Sequence, residues 1–301
     1  MEIAPSKPQV TSLLSNDVLT RVERLRLNAV RRFTNRSQGE HLSGRGGSSI
    51  EFRDYRAYVP GDDMRFVDWN IFSRLHRPYL KLFHEEEQMH LVLLVDASSS
   101  MRFEDKLQRA KQLGAAFGAM GLLGSERVSV QVFNQRGGQT TRLRPHVGRG
   151  SMRQLFRFLE KIEGEGDGPL EEGIEVMLRH HRGRGVAVVL SDFLTTGNLR
   201  RALNRLFFAG LEIFGVQILG PTEIDPEVTG DLRLVDSETA TTLDITAAGD
   251  LATLYQEYRM AYQHQLEALC QQRSGRLITI NTKDSLEHVL FDLLRRQGWV
   301  R

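Results

Sequence analysis

The chain has almost no cysteine. Cys270 is the single one among 301 residues, so no intrachain disulfide can form. A disulfide-stapled scaffold and a cysteine-rich zinc module are both excluded. Long apolar runs are missing too. The longest, Leu91–Val95, is far short of the roughly 18–20 residues that cross a bilayer. Residues 1–16 hold no apolar stretch fit for a signal-peptide core, which points to a cytoplasmic protein. Internal repeats and low-complexity tracts are absent. Net charge is nearly absent as well, at +2. Its distribution is uneven: residues 1–84 carry 14 Lys and Arg against 9 Asp and Glu, and the rest carries 26 against 29. That front is mildly basic but lacks the dense Lys/Arg blocks of a phosphate-binding surface, so nucleic acid is not the expected partner.

What is present is ordinary globular composition, 40% hydrophobic and 26% charged. A chain of this length buries roughly 70–75% of its unfolded surface and needs no staples. Residues 9–35 carry apolar positions at three- and four-residue steps and predict an amphipathic helix, with Ser15 or Asn16 as cap and Arg31 and Arg32 at its end. The glycine-rich stretch 36–49 reads as a linker, without the pattern of a phosphate loop. Residues 50–83 are dense in aromatics and arginine. They predict strands over 50–59 and 79–83, a Pro60-Gly61 turn and a helical turn over 64–69 capped by Asp62 or Asp63.

Beyond His90 strands alternate with helices. Leu91–Asp96 and Val186–Leu190 are nearly continuous apolar strands, the kind buried on both faces of a parallel sheet. Further strands are expected over 127–133, 140–144, 211–218 and 276–281. Helices are expected over 104–122, 151–162, 170–181, 198–208, 248–272 and 284–296. Residues 232–235 and 242–245 predict an edge hairpin. The fold class is therefore α/β, a doubly wound, mostly parallel sheet flanked by helices, with a small N-terminal helix-plus-β extension. The expected division is an extension over 1–86 and an α/β domain over 87–301.

In open α/β sheets ligands bind at the carboxyl ends of the strands. The first apolar strand ends in Asp96-Ala97-Ser98-Ser99-Ser100, and the second in Ser191-Asp192. A tight turn can aim Asp96, Ser98 and Ser100 at one point. A carboxylate and two hydroxyls are hard oxygen ligands, suited to Mg²⁺ or Mn²⁺ rather than zinc. Asp192 can hold a coordinated water. The same residue types are ordinary helix caps, so the D-x-S-x-S pattern alone is weak.

This arrangement resembles the von Willebrand factor A domain and its metal-ion-dependent adhesion site. The run Glu51-Phe52-Arg53-Asp54-Tyr55-Arg56-Ala57-Tyr58-Val59-Pro60-Gly61-Asp62-Asp63 precedes it, followed by Arg65, Asp68, Trp69 and Arg74. Together with residues 231–236 it resembles the signature of the domain-of-unknown-function family fifty-eight, over roughly residues 40–296. The resemblance implies action beside a MoxR-type AAA+ ATPase in assembling or maturing other proteins. Many members carry N-terminal membrane helices, and this chain looks like the soluble form. The adhesion site's usual threonine falls at Gly168. Asp167 takes its place, water completes the shell, or the site is vestigial.

Beside these stand plainer readings. Arg53, Arg56, Asp62, Asp63, Arg65 and Asp68 form either a partner-binding surface or, as favoured here, an internal ion-pair network fixing the extension onto the α/β domain. Trp69 is expected in a core. Adjacent His180 and His181 cannot readily share a metal and suit surface or capping roles. Cys270 is expected as a small buried hydrophobe, and Glu85–Glu87 as a solvated charge run. No G-x-S-x-G elbow and no visible base support nucleophilic hydrolysis. The expected function is a protein-interaction module and not an enzyme. The alternatives are a Mg²⁺-dependent phosphoryl-transfer or hydrolytic enzyme using Asp96 and Asp192, and a metal-free scaffold.

Overall fold

The computed structural model describes residues 9–29, 51–84, 88–134, 140–195, 197–226, 232–235, 242–245 and 248–301. The stretch 36–49, Arg31, Arg32, Glu85–Glu87, Asp231 and Asp236 lie outside the described residues, as does the side chain of Arg53. Two compact units result: Met1–Val30 with Met89–Arg301, and Arg31–Gln88.

The main sheet of the larger unit is built from β3 (His90–Asp96), β4 (Arg127–Phe133), β5 (Thr141–His146), β6 (Gly185–Ser191), β7 (Leu211–Leu219) and β10 (Arg276–Asn281). They form one sheet in the order β10-β7-β6-β3-β4-β5, parallel except for the antiparallel edge strand β5. All seven residues of β3 and of β6 are buried. Their side chains alternate between two cores, as strand geometry requires. Leu91, Leu93, Val95, Val186, Val188 and Leu190 face one helical layer, and Val92, Leu94, Ala187 and Val189 the other.

The first layer holds α3 (Lys106–Leu123) and α4 (Met152–Glu160), and the second α5 (Leu170–His180), α6 (Leu199–Phe208) and α8 (Ala248–Gln271). Residues 286–296 are helical, with a π-type turn over His288–Leu293 leading into α9 (Leu294–Arg296). The short α7 (Pro221–Ile224) follows β7. The hairpin β8 (Leu232–Val235) with β9 (Thr242–Ile245) forms, but as a separate two-stranded sheet rather than as an edge of the main one.

The N-terminal helix differs from its expected form. α1 spans Asn16–Val22 only, capped by Ser15, whose side chain accepts from Val18 N. After it the chain turns, and Leu27 bridges to Val300. Arg26 and Arg301 exchange backbone hydrogen bonds at 2.9 and 3.0 Å. Pairing with the C-terminal segment thus ends the helix where periodicity would continue it. Leu14, Val18 and Val22 pack into the first-layer core, so this helix belongs with the α/β unit rather than with the extension.

The smaller unit pairs β1 (Glu51–Ala57) antiparallel with β2 (Tyr79–His84), with an irregularity between Phe52 and Asp54. Asp62 accepts from Val59 N and from Arg56, which closes the Pro60-Gly61 turn where Gly61 has φ +107°. Asp63 caps a 3-10 turn over Met64–Phe66. Asp68 caps α2 (Trp69–Leu75), accepting from Asn70 N and Ile71 N. Trp69 is 56% exposed, against the expectation of a core position. A two-stranded sheet and one seven-residue helix bury Val67 and Leu80 but leave Trp69, Phe72 and Leu75 facing outward.

Candidate metal centre

Three adjacent parallel strands, β4, β3 and β6, end at the same edge of the sheet. Asp96 is the last residue of β3, Asn134 follows β4, and Asp192 follows β6. The 164–168 segment is laced between the first two ends. Ser98 bridges to Gly166, Ser99 N donates to Gly166 O at 2.8 Å, and Gly166 N donates to Asn134 O at 2.9 Å.

Asp96 is 5% exposed, and both of its carboxyl oxygens accept hydrogen bonds. Its Oδ1 accepts from Ser98 N at 3.0 Å and from Asn134 Nδ2 at 3.2 Å, and its Oδ2 accepts from the Ser191 hydroxyl at 2.7 Å. Burial, and then the neighbouring Asp192 charge, push the Asp96 carboxyl above its ordinary range against those hydrogen bonds. The Ser98 and Ser100 hydroxyls lie 3.0 Å apart. Asp96, Ser98 and Ser100 are thus brought together.

Asp192 is held differently. Its Oδ1 accepts from Leu194 N at 3.0 Å, and its Oδ2 lies 2.8 Å from the Lys106 ammonium. Lys106 Nζ also lies 2.6 Å from Glu223 Oε1. Burial alone would lower the Lys106 pKa, but the two carboxylates outweigh it and hold it above its ordinary value. Among Asp96, Asp192, Glu223 and Lys106 three carboxyl groups stand against one ammonium, and Asp167 at the same strand ends adds a further carboxyl.

A pocket of about 10 Å³, the room of one water or one monatomic ion, opens here. Asp96, Ser98, Asn134, Asp167, Gly168 and Thr195 line it, whereas Ser100 and Asp192 do not. A larger cleft of about 250 Å³ shares Thr195 and is floored by Leu199, Tyr262, Leu266 and Leu269. Among the described residues no group of three or more His, Cys, Asp or Glu side chains is placed to hold a metal. A cation here would meet the Asp96 carboxylate, with Asp167 as a second carboxylate at the pocket wall, together with hydroxyls and water. That hard donor set, the ion-sized pocket and the surplus of carboxyl groups fit Mg²⁺ or Mn²⁺.

Sequence reasoning missed Asn134 and Thr195, and it named Ser191 at the second strand end without its role as the donor to Asp96. Asn134 carries a legible signal: it stands directly after β4, the position that Asp192 holds after β6. The remaining candidates pair inside the extension: Arg56 with Asp62 at 2.9 Å, Arg65 with Asp63 at 2.6 Å, and Asp68 with Lys81 at 3.1 Å. Cys270 is buried, which pushes its thiol up to about 12. His181 takes the C-cap position of α5, yet it is buried and stacks on His90 with ring centroids 4.9 Å apart. It is not a surface residue, because α5 ends against the start of β3.

A doubly wound sheet of this strand order, with a D-x-S-x-S loop at its central strand end, defines a von Willebrand factor A-like domain. The family model described as "Protein of unknown function DUF58" matches residues 54–268, and the chain belongs to that family. An uncharacterized protein of Mycobacterium tuberculosis (strain ATCC 25618 / H37Rv) is 28% identical over 247 residues, 78% of this chain and 77% of its own length. Another, from Mycobacterium avium, is 28% identical over 133 residues, 44% of this chain and 78% of its own. Among solved structures, the conserved hypothetical protein BatB from Bacteroides thetaiotaomicron is similar at TM-score 0.43 and 15% identity, covering 69% of this chain and 98% of that one. The SpRpn10 VWA domain is similar at TM-score 0.38 and 14% identity, covering 66% and 92%. Among the described residues no helix is long and apolar enough to cross a membrane.

Proposed function

We propose that this chain is a protein-interaction module. Asp96, Ser98 and Ser100 hold Mg²⁺ or Mn²⁺, with a water on Asp192, and the ion accepts an acidic side chain from a partner protein. The observation that carries this reading is the buried Asp96 carboxylate and the Ser98 hydroxyl lining an ion-sized pocket, with the Ser100 hydroxyl 3.0 Å from that of Ser98. Each Asp192 oxygen already accepts one protein hydrogen bond and keeps capacity for a water. Following the family resemblance, the partner is a MoxR-type AAA+ ATPase or a client it remodels, in the cytoplasm, and the role is assembly or maturation of other proteins.

The enzymatic alternative has less support. Phosphoryl transfer needs a cation free to meet the transferred or leaving phosphate. Lys106, a cation at these strand ends, is buried and held by Asp192 and Glu223.

Calorimetric titration of Mg²⁺ and Mn²⁺ into the full chain and into Asp96→Ala tests the centre. Saturable binding that the variant loses is expected. Capture of the purified ATPase by both proteins tests the bridge. If Asp96→Ala captured it as well as the parent chain does, the metal-bridged reading would be wrong.

A further inference from the structure

The carboxamide of Asn134 stands between two oxygens of the centre. Its Nδ2 donates to Asp96 Oδ1 at 3.2 Å and to Gly168 O at 2.7 Å. The backbone there has φ +60°, a left-handed conformation that asparagine tolerates better than most residues. Three of the five residues in the 164–168 segment are glycine, and two of them, Gly166 and Gly168, lie against Asn134. A Cβ at Gly166 would come within 2.8 Å of the Asn134 backbone, and a Cβ at Gly168 would lie 2.7 Å from Asn134 Oδ1. Real Cβ atoms do not make such contacts without displacement. At 166 the obstacle is backbone, whereas at 168 it is the end of a side chain, so a side chain at 168 and the present rotamer of Asn134 exclude each other.

We infer that Asn134 is the protein ligand on this side of the centre: its carboxamide oxygen serves the divalent cation where no side chain at Gly168 can. The inference rests on the metal reading above and adds a ligand to it. In the structure an amide N–H aims at Asp96. The carboxamide oxygen and nitrogen exchange places on a half-turn about the Cβ–Cγ bond, a soft, roughly two-fold torsion. A cation on Asp96 repels the N–H and attracts the oxygen. Amide carbonyls are hard, neutral ligands of the kind magnesium and calcium sites use. The Gly168 carbonyl, within hydrogen-bond reach of the same amide, is a second oxygen of that class.

The test titrates Mn²⁺ and Mg²⁺ into the full chain and four variants: Asp96→Ala, Asn134→Gly, Gly168→Thr, and the double variant Asn134→Gly/Gly168→Thr. Glycine keeps the left-handed backbone at 134, and a melting curve in chelator checks that each variant folds. Asn134→Gly is expected to weaken binding at least about 10-fold. The double variant regains most of that loss, because the vacated space now admits a threonine hydroxyl. Gly168→Thr alone gains nothing, since its Cβ meets Asn134. Unchanged or tighter binding by Asn134→Gly, with Asp96→Ala inactive, overturns the inference and leaves the metal reading standing. No saturable binding by the parent chain overturns both.

Discussion

The ammonium of Lys106 lies 2.8 Å from Asp192 Oδ2, and the two side chains are 0% and 2% exposed. The pair is almost wholly shielded from bulk solvent, and a second carboxylate, Glu223 of α7, meets the same ammonium. Lys106 thereby ties the start of α3 to two loops at the strand ends. Removing it leaves carboxylates buried without their counter-ion. Lys106→Met is expected to destabilise the chain by about 3–5 kcal/mol, read as a shift in urea midpoint without divalent ions. A cost under about 1 kcal/mol would show that the pair is solvated in solution. With a raised pKa, the lysine contribution is complete below its ordinary 10.5 and is lost only as pH climbs through the higher folded value.

The opposite edge of the sheet carries an acid-sensitive element. Burial first, then His181 and Arg127, lower the His90 pKa from 6.5 to about 4. His90 Nε2 is 2.9 Å from the Ser129 hydroxyl. A depressed histidine binds its proton more readily when unfolded. Its contribution is therefore complete above pH 6.5 and is lost as pH falls toward about 4. The full loss amounts to about 3 kcal/mol. Urea midpoints between pH 7.5 and pH 4.5 are expected to fall more steeply for the parent chain than for His90→Gln. Parallel slopes would assign acid sensitivity to other groups.

Near the end of the chain, Trp299 is 1% exposed and packs on Phe214 of β7, with ring centroids 4.7 Å apart. Its carbonyl accepts from Asn28 N at 2.8 Å, so the same residue clasps the N-terminal segment to the core. Trp299→Ala is expected to cost about 3–5 kcal/mol and to expose the segment around Asn28 to proteolysis. A normal melting temperature with unchanged protease resistance would count against this clasp.

The alternating strands and helices of the α/β unit were legible because their apolar runs are strong and local. β3 and β6 are apolar on both faces, and only burial between two helical layers satisfies that pattern. Asp96, Ser98 and Ser100 were legible because they follow the central strand directly. Trp69 was not: its aromatic character says that it gains from burial, but among the described residues of the extension one two-stranded sheet and one short helix leave it 56% exposed. Nor was the end of α1, since the competing partner of residues 26–28 sits more than 270 positions away.

Sequence by itself determined the element order, the apolar alternation that makes a two-faced sheet, and the oxygen-bearing residues placed at strand ends. These follow from neighbours a few positions apart. Tertiary structure decided which of those residues meet. Lys106 reaches Asp192 across 86 positions, and Asn134 reaches Gly168 across 34, filling the space that a side chain at 168 would need. Such pairings depend on which strands lie adjacent and on excluded volume between loops, and neither is written in local periodicity.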